Sequence, residues 1–419
     1  MKRSFLLFFS GLIFLGLTLL LSSCNLPQVK AEDRLFLDVS LDFLGEYRLP
    51  KMDFEGTRVG GLSGITYDRQ LDRFYAISDD RSEHGPARFY TFQLVLNPDR
   101  FTESEAVESE QDQTSEQAPV SGIQSVEVEK VTPLLGENGS PFERGTIDLE
   151  GIALSPRRSL FISSEGVSRR GIPPFIDEFN LETGAWLGRL PIADRYLPAT
   201  AESGQILGVQ DNLGFEALTL SANGYGAGLV EPFRVFAATE SSLHQDLPNL
   251  DTPNSDSPTP SPEEIAVQSP VRFLHYLVGE TQPTLLSEHL YGVEPPPERA
   301  TMNGLAELVM VDQGGHFLSL ERSFGLLAGF NAQIFQLATG GATDTSGIPA
   351  LNGDPSGITA IYKRLELNLA ELGLPLDNLE GMAIGPRLPD GTQSLVLVSD
   401  DNFNMLQSTQ FLLFRLKVG

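Results

Sequence analysis

Asp148-Leu149-Glu150-Gly151-Ile152-Ala153-Leu154, then Ser155-Pro156-Arg157-Arg158, then Ser159-Leu160-Phe161-Ile162-Ser163-Ser164-Glu165-Gly166 is the stretch that decides the fold. Two short apolar runs flank a Ser-Pro turn, which is the signature of a β-hairpin. The pattern recurs. Gly61-Leu62-Ser63-Gly64-Ile65-Thr66-Tyr67 precedes Arg73 to Asp80, and Asn378-Leu379-Glu380-Gly381-Met382-Ala383-Ile384 precedes Ser394 to Asp401. Looser copies are Gly214 to Leu220 with Phe233 to Glu240, and Leu305 to Val311 with His316 to Arg322. Five hairpins with variable turns, spread from residue 61 to residue 401, are what radial repetition of antiparallel sheets produces. The expected fold is therefore all-β, a β-propeller. Six blades are expected, with seven as the alternative, because Val271 to Leu277 reads either as outer strand or as a degenerate sixth blade. Phe36 to Val39 and Phe411 to Leu416 are placed in one shared blade that closes the ring without an exposed edge.

The 419 residues allow one to three domains. A composition of 41% hydrophobic residues with 40 Gly, 28 Pro and 26 Phe excludes collagen, coiled coil and wholesale disorder. A formal charge of −27 repels phosphate backbones, so nucleic acid is excluded as a partner. Two stretches read as acidic solvated inserts, Thr102 to Gln124 and Asp246 to Pro270, which together hold eleven acids and no base.

The amino terminus is read as an export signal over residues 1–23. Met1-Lys2-Arg3 is basic, Phe5 to Leu21 is apolar, and Leu21-Ser22-Ser23-Cys24 is a lipobox pattern. Cys24 is the single cysteine, so it has no disulfide partner in the chain and is assigned as the lipidation site. Residues 24–44 then form a linker and first strand, and 45–419 the propeller domain. The expected location is the bacterial cell envelope, with membrane contact through the lipid anchor only. Asn25, rather than Asp, favours the periplasmic side of the outer membrane.

Hairpin geometry places the acids. The start of a first strand lies opposite the end of the second, so in a radial array all such ends share one face. Glu150, Glu216, Glu307 and Glu380 from first strands, with Asp79, Asp80, Glu165, Asp400 and Asp401 from second strands, are the candidate metal ligands. Carboxylates crowded together raise one another's pKa or require a cation, and oxygen donors without Cys or His suit Ca²⁺ or Mg²⁺. Turn capping alone would also place acids at strand ends. Arg81 follows Asp79-Asp80, Arg169 and Arg170 follow Glu165, and Arg322 follows Glu321, and these are the candidate anion clamp. The five histidines show no metal spacing, and Gly61-Leu62-Ser63-Gly64-Ile65 is not a nucleophile elbow.

The pieces GLSGITYD with FYAISDDR, DLEGIAL with LFISSEG, PPFIDEFN, GFEALTLS, NGLAELVMVD with FLSLERSFG, and DNLEGMAIGP with SLVLVSDDNFN resemble the phytase-like family known as esterase-like activity of phytase. The resemblance implies a propeller and Ca²⁺-dependent phosphoester hydrolysis, with a small phosphorylated molecule as the partner. The chain departs from lysine-rich phytase sites, since no lysine stands beside the repeated acids. The rival reading is a non-catalytic propeller with structural Ca²⁺ that binds an envelope ligand.

Acylation at Cys24 has a direct test. Cys24→Ser should release the processed protein from membranes into the soluble fraction, and a substituted protein that still pellets with membranes would count against the anchor.

Overall fold

The computed structural model describes residues 35–102, 121–221, 231–247, 270–351 and 354–419. Asp38–Gly419 forms one compact unit. The expected signal segment and Cys24 lie outside the described residues.

Strand β1 (Val39–Leu49) is followed by a small hairpin, β2 (Met52–Phe54) with β3 (Thr57–Val59). Blade one is β4 (Leu62–Asp68), β5 (Arg73–Ser78), β6 (Arg88–Leu96) and β7 (Ile123–Pro133). Blade two is β8 (Leu149–Leu154), β9 (Ser159–Ser164), β10 (Phe175–Asn180) and β11 (Trp186–Arg189). A two-stranded ribbon, β12 (Ala199–Thr200) and β13 (Ile206–Leu207), lies in the connection to blade three. That blade is β14 (Phe215–Leu220), β15 (Phe233–Thr239), β16 (Pro270–Val278) and β17 (Thr284–Gly292). Blade four is β18 (Met302–Met310), β19 (His316–Gly325), β20 (Gly329–Ala338) and β21 (Tyr362–Asn368). Blade five is β22 (Asn378–Arg387), β23 (Gln393–Asp400), β24 (Thr409–Val418) and, outermost, β1. The innermost strands touch in the cyclic order β4, β8, β14, β18, β22, and β22 meets β4 again, so the ring is closed.

The propeller therefore has five blades, not six or seven. Every expected inner hairpin is the inner pair of a blade. The ambiguous segment Val271 to Leu277 is β16, whose register against β15 (Phe233 with Val278, Ala238 with Phe273) makes it the third strand of blade three. Closure joins the first and last strands. β1 pairs with β24 over Val39 with Val418 to Leu49 with Thr409, and this strand crosses the expected boundary between residues 44 and 45.

Alternation in the inner strands gives way to near-continuous burial, as in LEGIAL and SLFISS of blade two, because both faces of each sheet pack on a neighbouring blade. Phe89, Leu149, Ile162 and Phe179 fill the gap between blades one and two, and Phe161, Leu218, Phe233 and Tyr276 that between two and three. Full burial of such a side chain contributes roughly 1.5–3 kcal/mol.

The edges of the expected inserts are part of this core. Ile123 is buried in β7, and the Gly122 N–H donates to the Leu44 carbonyl at 2.9 Å. Asp246 is fully buried and not solvated. It accepts from Arg272 Nε at 2.6 Å and Nη2 at 2.8 Å, and from the Leu351 N–H at 2.8 Å. Arg272 also pairs with Glu288, which accepts from Tyr196 Oη at 2.5 Å and Arg195 at 3.0 Å. Residues 103–120 and 248–269 of the inserts fall outside the described residues.

Removing one partner from a buried ion pair strands the other charge, at a cost of about 3–5 kcal/mol. Asp246→Ala should therefore lower the unfolding free energy in urea by about that amount, and a change below 1 kcal/mol would mean that Arg272 is satisfied without it.

Candidate metal centre at the tunnel mouth

Each of the five innermost strands carries a register shift at the same place. It falls between Leu62 and Gly64, Leu149 and Ile152, Phe215 and Ala217, Leu305 and Glu307, and Leu379 and Gly381. These are β-bulges, which re-aim the extra residue. The residues at the bulge are Ser63, Glu150, Glu216, Ala306 and Glu380. A second tier comes from the second strand, one residue after the partner of the residue that precedes each bulge: Asp79, Glu165, Glu240, Arg322 and Asp400. The two tiers meet at a cavity of about 490 Å³ at the tunnel mouth, lined among others by Asp79, Arg81, Glu150, Glu216, Arg322, Asn378, Glu380 and Asp400.

Carboxylate oxygens of Asp79, Asp148 and Glu150 lie within 4.8 Å of one another, and so do those of Glu150, Glu165 and Glu216. Glu150 belongs to both groups. Burial and then like charge push these acids up: Glu150 by Glu216 and Asp79, Glu216 by Glu165 and Glu240, Asp79 by Asp148 and Glu380, and Asp400 by Asp79 and Glu380. Burial raises Glu165 well above the usual range, with Asp148 and Glu240 adding to it. Asp148 is pushed up to about 6 by burial, against the pull of Arg81 at 2.5 Å. Glu380 reaches about 7 for the same reason, although Arg322 lies 3.0 Å away.

The donor set fits a hard cation. Glu165 Oε1 accepts from the Gly214 N–H, while its Oε2 is buried without a partner among the described residues. Asn378 Oδ1 is buried without a partner as well. Only oxygen atoms converge in these two groups, as Ca²⁺ and Mg²⁺ require.

Other expected site residues go elsewhere. Glu307 stands one position beyond the bulge, where the other blades have Gly64, Gly151, Ala217 and Gly381. It accepts from the Leu218 and Leu308 N–H groups at 2.9 Å, within the stack of inner strands. Asp80 lines the cavity but is held by fully buried Arg88 at 2.5 Å and by the Glu83 and His84 N–H groups at 2.8 Å. Asp401 pairs with Lys51 and accepts from the Gly61 N–H at 2.9 Å. Arg81 and Arg322 do line the mouth. Arg169 does not: it is 2.8 Å from Asp211 beside a separate cavity, and Arg170 donates to the Gly145 carbonyl.

Sequence reading passed over Asp148 and Glu240. Both stand in the repeated motifs, immediately before Leu149 and after Thr239, and the register of those hairpins is the signal that finds them. Arg322 bridges Glu240 at 3.2 Å and Glu380 at 3.0 Å. Asn212 accepts from Arg81 and comes from a connection that carries no repeat.

Residues 57–403 match the phytase-like family described as esterase-like activity of phytase. No curated protein matches the chain. Among solved structures, an endo-arabinase from Bacteroides thetaiotaomicron aligns over 86% of this chain and 95% of its own at 8% identity and a TM-score of 0.36. An α-L-arabinofuranosidase catalytic domain from Coprinopsis cinerea aligns over 89% and 97% at 9% identity and 0.36. An α-L-arabinanase from Penicillium chrysogenum, solved with arabinobiose, aligns over 64% and 62% at 12% identity and 0.30. At these scores the likeness carries no argument about substrate.

The raised acids fix a sign for pH dependence. A carboxyl whose folded pKa lies above its unfolded value stabilises fully below the unfolded pKa, near 4, and that stability is lost as pH rises through the folded pKa. Acids with lowered pKa, such as Asp312 and Asp390, are ionised in both states above pH 5 and add no slope there. Chelator-treated protein should thus melt several degrees lower at pH 8 than at pH 5, the loss through Asp148 and Glu380 falling near pH 6 and 7 and that through the acids raised further continuing above, outweighing His244 and His275, whose lowered pKa values add stability as pH rises through the unfolded histidine range. Ca²⁺ should recover most of that loss at pH 8 and little at pH 5, where protons compete. A metal-free melting temperature that is flat or rises over this range would refute the clustering.

Proposed function

Because the chain belongs to the phytase-like family, we propose that its tunnel mouth is the active site of a Ca²⁺-dependent hydrolase that cleaves a small phosphate monoester. The observation that carries this reading is the pair of carboxylate groups sharing Glu150 beneath a cavity that also holds two arginines. Asp79, Asp148, Glu150, Glu165 and Glu216 would hold the cation. When bound, it supplies charge neutralisation of the phosphoryl group and lowers the pKa of water.

The chain's own residues do the rest. Arg322 is fixed between Glu240 and Glu380 on the cavity wall, so its guanidinium offers positive charge to a phosphoryl oxygen. Arg81, anchored on Asp148, offers a second positive charge on the cavity wall. Glu380 lies outside both carboxylate groups, and Arg322 and Asn378 donate to its Oε1 at 3.0 and 2.8 Å. A carboxyl near pH 7 holds a proton that it can pass to the departing alcohol. The envelope location and lipid anchor read from Cys24 complete the proposal, with the enzyme acting on the exported side of the membrane.

Purified protein lacking residues 1–24 should hydrolyse an activated monoester such as p-nitrophenyl phosphate with Ca²⁺ and lose that activity in chelator. Glu150→Gln should reduce turnover at least a hundredfold and weaken Ca²⁺ binding by calorimetry, since it removes the shared ligand. Ca²⁺ binding without turnover would leave a ligand-binding propeller, and no Ca²⁺ binding at millimolar concentration would end the hydrolase reading.

A further inference from the structure

The mouth is acidic at its floor and aromatic at its walls. Phe403 and His84 line it from the blade five and blade one loops, and Met302, Phe324 and Phe330 from blade four. Phe324 and Phe330 pack at 4.8 Å between ring centroids, and His84 and Phe403 at 4.6 Å with planes 34° apart. All three phenylalanines are half-buried, so they present apolar surface to a charged cavity.

Phe403 is held there against its own preference. Asn402 and Phe403 both take the left-handed conformation, with φ of 46° and 50°, which bulky side chains rarely adopt. Two buried carboxylates impose it: Asp400 accepts from the Asn402 N–H at 2.7 Å and Asp401 from the Phe403 N–H at 3.1 Å. Asp401 is fixed in turn by Lys51 and the Gly61 N–H. The ring edge rests on Gly61, where any Cβ would lie 2.5 Å from it. Strain maintained by buried charges at a cavity wall marks a residue placed for a ligand.

Charge limits what that ligand carries. Among the described residues, Arg81 and Arg322 are the only arginines on the lining and no lysine is on it, and both arginines are already paired with carboxylates. One phosphoryl group can be met by a cation on the floor. Further phosphates would face carboxylates and phenyl rings with no free positive charge.

Building on the phosphoester reading, we propose that the substrate is the monoester of an alcohol bearing a flat apolar ring, seated on Phe403 with Phe330 as a second wall, and not a polyphosphorylated polyol. The ring face gains contact area on the phenyl groups, while the single phosphate reaches the acidic floor. Phe403 and Phe330 act as specificity residues.

Calorimetry in Ca²⁺-containing buffer tests this without turnover. 1-Naphthylphosphonate should bind about tenfold more tightly than methylphosphonate, and more tightly than inositol hexakisphosphate. Phe403→Ala and Phe330→Ala should each remove most of the ring preference while leaving methylphosphonate and Ca²⁺ affinities within about twofold, and Phe403→Trp should retain it. If the loop variant fails to fold, Phe330→Ala, on a regular strand, carries the comparison alone. Equal affinity for the two phosphonates, tighter binding of inositol hexakisphosphate, or a ring preference that survives the Phe330 change overturns the inference and leaves the phosphoester reading intact. Failure of every phosphonate to bind to Ca²⁺-loaded protein overturns both.

Discussion

Five inner strands converge on one axis, and in blades one, two and five there is no room between them for a side chain at the position after the bulge. A Cβ on Gly64 would come within 2.5 Å of the Glu150 carbonyl, one on Gly151 within 2.5 Å of the Glu216 carbonyl, and one on Gly381 within 3.1 Å of the Ser63 carbonyl. Backbone meets backbone between blades at this level. The residue just before cannot sit in the ladder as well, so each strand bulges and turns that residue's side chain to the mouth. The acidic centre follows from this packing constraint. Glycine at the contact and glutamate at the bulge are two halves of one arrangement, and the repeated Leu-Glu-Gly is its trace in the sequence.

Steric convergence creates an electrostatic debt. Asp79, Asp148, Glu150, Glu165, Glu216, Glu240, Glu380 and Asp400 all have raised pKa values, and burial leads the causes in every case. Arg81 and Arg322 offset only part of it. The fold tolerates the remainder because interblade packing is extensive and apolar, so stability resides in the outer layers while the axis is left polarised. Such a centre is poised to take up protons or cations, which is the property a hydrolytic site for anions needs.

The inner hairpins were legible because each carries a strand, a turn and a strand of the right length, and because the acid at each end marks the mouth face. Outer strands carry no such mark. β16 reads as apolar sequence of either kind, and only its pairing with β15 assigns it, so blade number was out of reach. Asp246 looked solvated because its neighbours are Pro, Asn and acids, and nothing local announces Arg272, 26 residues away. Glu307 was misplaced by one position: Leu-Ala-Glu-Leu resembles Leu-Glu-Gly-Ile by composition, yet the bulge falls on Ala306. Composition identifies the motif, but the hydrogen-bond register decides which of two adjacent residues faces the axis. The same register would have found Glu240. Of the aromatic walls, His84 and Phe403 lie on loops, where no periodicity constrains the reading, and Phe324 and Phe330 lie at strand ends that carry no acid to mark the mouth face.

Blade four breaks the symmetry in both tiers, and this gives the mouth a direction. Where the other blades offer Ser63, Glu150, Glu216 and Glu380, it has Ala306; where they offer Asp79, Glu165, Glu240 and Asp400, it has Arg322. A fully acidic ring would bind cations and repel every anion. Replacing one sector by a small apolar residue and a guanidinium leaves the carboxylates of blades one to three as the side that could hold a cation and makes blade four the side that an anion can approach. Arg322 cannot turn away, because Glu240 and Glu380 hold it from the two flanking blades. Phe324 and Phe330, on the strands that continue from it, wall the same sector. Positive charge and apolar surface are thus offered together by blade four, with Arg81, His84 and Phe403 added from the loops of blades one and five, which is the polarity that a monoester with an apolar alcohol would match.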